Sequence, residues 1–70
     1  MIVKVRVFQR TERITGPEQM GTMIESVRSE SETFLATLAL NNVCDSREHL
    51  AVAGKDTTFT TFLITIYYLE

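Results

Sequence analysis

Tryptophan is absent from the 70-residue sequence, and there is one cysteine, one proline, one histidine and three glycines. One cysteine permits no disulfide within the chain and no cysteine-rich zinc site. No phosphate-binding glycine loop, dinucleotide fingerprint or nucleophile elbow occurs. No apolar run approaches the roughly 20 residues that span a bilayer. Met1-Ile2-Val3-Lys4 leads straight into alternation, without the basic segment and long apolar segment of a signal peptide. With Cys44 as a lone thiol, the expected location is the cytoplasm.

What is present is ordinary for a folded chain. Apolar residues make up 44% and charged residues 23%, which excludes the low-hydrophobicity, high-charge composition of disorder. At 8.0 kDa residues 1–70 form one domain, near the lower limit for folding without metal or disulfides. That size excludes a multidomain enzyme and most deep substrate clefts. The net charge of −2 gives no strong pull towards nucleic acid or an anionic membrane. Its distribution is uneven, since residues 1–13 carry Lys4, Arg6, Arg10 and Arg13 against Glu12 alone.

Val3, Val5 and Val7 alternate with Lys4 and Arg6, which predicts a strand over residues 2–8 with one buried and one wet face. Residues 9–16 are polar and read as a loop ending in Thr15-Gly16-Pro17. Pro17 suits the first position of a helix, and Glu18 adds favourable charge in its first turn. Met20, Ile24, Val27, Phe34, Leu35 and Leu38 recur at helical steps, with Ser31 in the one missing place. This predicts an amphipathic helix over about 17–40, either continuous or split near Ser29–Ser31, stopping at Asn41-Asn42. At about 36 Å it would outrun a seven-residue strand of about 23 Å, and one end would overhang the sheet. A strand over about 47–53 follows, with an irregular approach, then a hairpin loop at Gly54-Lys55-Asp56. Residues 57–69 are almost all β-branched or aromatic and predict the central strand. The expected fold is α+β: a single β-α-β-β domain, a three-stranded antiparallel sheet with one long helix on one face.

That layout raises a problem of coverage. In the last strand Phe62, Ile64, Ile66 and Tyr68 point one way. Phe59, Leu63, Tyr67 and Leu69 point the other way, with Thr61 and Thr65. One helix covers one face, so large apolar side chains stay bare on the other, as at interfaces. The expectation is a homodimer or higher oligomer, with Phe62, Ile64, Ile66 and Tyr68 at its interface.

Chemistry has fewer candidates. His49 has Cys44, Asp45 and Glu48 nearby, but on a strand Asp45, Arg47 and His49 share one side and Cys44 and Glu48 the other. The set does not converge, so neither a metal nor a catalytic role is expected, nor any cofactor. Cys44 reads as a small core residue. Lys4 and Arg6 on the first strand, with Arg10 and Arg13 in the following loop near the helix N-terminus, form the one candidate ligand site. It suits a small anionic, nucleotide-like ligand held between chains.

The run Met1-Ile2-Val3-Lys4-Val5-Arg6-Val7-Phe8 resembles the short sporulation proteins of spore-forming bacteria and of their phages. So do Phe34-Leu35 near the helix end and Leu50-Ala51-Val52-Ala53-Gly54 leading into Phe62-Leu63-Ile64-Thr65-Ile66-Tyr67-Tyr68-Leu69. The resemblance covers most of the chain in order and brings no catalytic residues. It implies a small accessory protein, and its phage members imply a host-interaction role in the host cytoplasm. The reading is therefore a non-enzymatic, oligomeric binding protein. It would inhibit or sequester a host protein, with an anion sponge and a sporulation-associated structural protein as alternatives.

Overall fold

The computed structural model describes all of residues 1–70. Strand β1 (Ile2–Arg13) leads into helix α1 (Pro17–Ala39), then β2 (Val43–Lys55) and β3 (Thr58–Leu69). The three strands form one sheet in the order β1-β3-β2, antiparallel throughout. The last strand therefore sits in the middle, as its apolar run requires, and α1 covers one face.

The strands are longer than the sequence suggests. β1 does not stop at Phe8. Residues 9–13 continue the ladder, with Gln9 opposite Phe62, Arg10 opposite Thr61 and Arg13 opposite Thr58. Arg10 and Arg13 thus lie on a strand and not in a loop. The polar sequence is accommodated because its β3 neighbours are threonines, and Thr11 and Thr60 join hydroxyl to hydroxyl at 2.7 Å. β2 likewise runs from Val43 to Lys55, with its register shifted between Val43 and Asp45. Gly54 and Lys55 belong to this strand, so the hairpin loop is Asp56-Thr57, with Asp56 at φ 58°. Strands of 12 and 13 residues reach about 40 Å, longer than the helix at about 35 Å. The expected overhang of the helix does not occur.

Helix α1 is continuous through Ser29–Ser31. Gly16 caps it without a side-chain bond. Gln19 reaches back instead, accepting from the Thr15 backbone N–H at 2.6 Å and from the Thr15 hydroxyl at 3.1 Å. The helix ends at Ala39. Asn42 turns the chain into β2 at φ 84°, a left-handed conformation asparagine tolerates.

The core lies between α1 and the face carrying Phe8, Leu63 and Tyr67. Phe8, Val27 and Leu63 form its apolar centre, with Phe34 packed against them. Phe34 meets Phe8 and Tyr67 edge-on, with ring centroids 5.7 and 5.3 Å away. Met23, which the helical stripe as read leaves out, is fully buried. Burying each of Met23, Val27 and Leu63 is worth about 1.5–3 kcal/mol. Beside them the core is polar. Ser31, Thr61 and Thr65 are fully buried. The Ser31 hydroxyl donates to Glu48 Oε1 at 3.0 Å and lies 2.8 Å from the Thr65 hydroxyl.

Candidate functional site

The pleat decides which side chains the helix covers. Leu63, pairing with Phe8, and Thr65, pairing with Arg6, face the helix. The covered side of β1 is therefore Lys4, Arg6, Phe8 and Arg10. Val3, Val5 and Val7 lie on the opposite face, 57%, 61% and 50% exposed. This reverses the expected assignment, in which the valines were the buried stripe. Phe8 decides the matter, because it has the parity of Lys4 and Arg6 and packs against Leu63 and Val27. Arg6 fits the covered side by laying its guanidinium over aromatic rings, 4.5 Å from the Phe34 centroid and 5.2 Å from that of Phe8.

The uncovered face is built in rows across β1, β3 and β2. They run Val3–Tyr68–Asp45, Val5–Ile66–Arg47, Val7–Ile64–His49 and Gln9–Phe62–Ala51. The expected interface residues Phe62, Ile64, Ile66 and Tyr68 fall together here, each half-buried by its neighbours. The three valines extend them into a two-column apolar patch. The β2 column is polar from Asp45 to His49, then small at Ala51 and Ala53. The far end is basic, with Arg13 and Lys55 on either side of Thr58. No element within residues 1–70 covers this face.

The cations proposed for anion binding do not converge. Lys4, Arg6 and Arg10 share the covered side of β1, with Phe8 standing between the two arginines, and Arg13 has the opposite parity. Arg10 is engaged, its Nε 3.3 Å from Glu12 Oε1 and its Nη1 donating to Ser26 Oγ at 2.7 Å. Arg13 lines a shallow hollow with Glu12 and Glu18, and Arg6 lines another with Glu30. Each hollow is open to solvent and carries a carboxylate beside its cation.

His49 stands on the uncovered face with Arg47 and Asp45, and Glu48 on the covered side. No group of three His, Cys, Asp or Glu side chains gathers that could hold a metal ion. Cys44 is exposed and not a core residue. It falls at the register shift that begins β2, where its thiol donates to the Tyr68 carbonyl at 3.3 Å. No helix is long and apolar enough to cross a membrane.

No family model, no curated protein and no solved structure matches the chain.

Proposed function

We propose that the chain is a non-enzymatic binding protein that self-associates and acts through protein–protein contact. As a phage or bacterial accessory protein it would inhibit or sequester a host protein in the cytoplasm. The observation that supports the self-association is the uncovered sheet face, where Val3, Val5 and Val7 flank Phe62, Ile64, Ile66 and Tyr68; a host protein would then be met by an edge strand or by the outer surface of the helix. A contiguous apolar patch on a small protein marks an interaction surface. A sponge holding a nucleotide-like anion by Lys4, Arg6, Arg10 and Arg13 has less support, because Arg10 is already bonded within the chain and Arg13 has the opposite strand parity to the other three.

Sedimentation equilibrium tests the first requirement. The chain should sediment at a multiple of 8.0 kDa at tens of micromolar. Ile66→Glu should sediment as the protomer with its far-UV circular dichroism unchanged, since a buried carboxylate at an apolar interface carries a heavy desolvation penalty. A chain that stays at the protomer mass across this range would sink the proposal.

A further inference from the structure

With their strands aligned, two copies can stack this face on itself in two symmetric ways, and one of them matches apolar to apolar far better. A two-fold axis lying in the interface and parallel to the strands sets β1 of one copy across β2 of the other. Val3, Val5 and Val7 would then rest on the partner's Asp45, on the partner's Arg47 and on the partner's His49. At the basic end Arg13 would rest on the partner's Lys55. That arrangement buries polar groups against methyls and brings like charges together.

An axis perpendicular to the strands instead lays each strand over its own counterpart, running the opposite way. At the level of Thr65, it sets Ile64 on the partner's Ile66, Phe62 on the partner's Tyr68 and Val5 on the partner's Val7. Arg47 meets the partner's His49 along the β2 flank, where water reaches both. The basic ends carrying Arg13 and Lys55 move to opposite extremes of the assembly. With the axis level with Thr65 the strands overlap from Thr61 to Leu69, about 30 Å, so two faces of three strands about 4.8 Å apart cover on the order of 900 Å² together. That is the size of a weak, concentration-dependent interface, near the lower limit of about 1,000 Å² for a specific one. Sheets stacked this way keep the small crossing angle of aligned packing.

The geometry points to a homodimer in which two copies stack their uncovered faces about a two-fold axis perpendicular to the strands, level with Thr65. The inference rests on the self-association proposed above and adds its geometry. The outer helices would lie about 30 Å apart, with two sheets between them.

Two single nitroxide labels test it by dipolar distance measurement in a Cys44→Ser background. Both positions are exposed: Ser29→Cys on α1 and Thr58→Cys at the basic end of β3. The expected result is about 40 Å or more between Ser29 labels, and about 45 Å between Thr58 labels, fourteen residues of strand apart. A Thr58 distance below about 20 Å with a long Ser29 distance would mean the axis runs along the strands, overturning the geometry and sparing the self-association. A Ser29 distance below about 25 Å would mean edge-to-edge pairing with both helices on one side, and would overturn the stacked face. Absence of any dipolar coupling, with a protomer mass, would overturn both.

Discussion

Thr61 is the one buried side chain whose hydroxyl has no partner. Thr65 and Ser31, also fully buried, satisfy each other and reach Glu48. A buried hydroxyl left without a bond costs about 1–3 kcal/mol relative to one that is paired. Thr61→Val keeps the branched shape that suits a central strand and removes the polar atom. It should raise stability by about 1 kcal/mol, read as a higher urea midpoint at unchanged slope. A lower midpoint would show that the hydroxyl has a role the static contacts do not display. The polar character of these positions was legible from the sequence, since Thr61 and Thr65 share one parity of the last strand and Ser31 interrupts the helical stripe. That Ser31 and Thr65 meet and reach Glu48 was not legible. It depends on how α1 crosses the sheet, which no spacing within a single element specifies.

Among the elements, β2 and α1 each carry a glycine, in very different surroundings. At the end of β2, Gly54 lies opposite Phe59, whose ring occupies the space a Cβ would need. Gly54 has no positive φ, so the requirement is one of space and not of backbone conformation. Gly21, inside α1, has nothing within 4 Å of where its Cβ would stand. The same substitution should therefore act with opposite signs. Gly21→Ala should stabilise by about 0.5–1 kcal/mol through helix propensity. Gly54→Ala should destabilise by about 1–2 kcal/mol, because the ring must leave its site. Thermal melts of the two variants check this, and a stabilised Gly54→Ala would refute the steric account. The element order, the antiparallel pairing and the central place of β3 all follow from where apolar residues cluster along the chain. The side to which β1 turns did not follow from hydropathy. Val3, Val5 and Val7 have the look of a core stripe, yet a single aromatic, Phe8, outweighs them by packing with Leu63 and Val27. Phe62, Ile64, Ile66 and Tyr68 could be named as a group because strand parity alone gathers them. The valines beside them could not, because their partners depend on register.

The whole molecule is open for its mass. Its accessible surface is 4893 Å², where a compact monomer of this size exposes about 4,450 Å². Its radius of gyration is 13.7 Å, against about 11 Å for a globule of this length. Both departures have one origin, long strands covered on one side only. A second layer against the bare face would thicken the particle and remove the excess surface. Dimer stability then depends on protein concentration, and a tenfold increase adds about 1.4 kcal/mol. The melting temperature should rise by several degrees for each tenfold increase in concentration, measured by calorimetry, whereas a concentration-independent melt would describe an isolated protomer.

Every ladder in the sheet includes β3, and its pairings reach from Ile2 to Leu69. The central strand is also the last one synthesised. While the ribosome is still making residues 58–69, β1 and β2 have no strand to pair with, and the valines of β1 are open to chaperones and to other nascent chains. Sheet formation must wait until that segment clears the exit tunnel, so this fold is completed after translation of β3 and not during it.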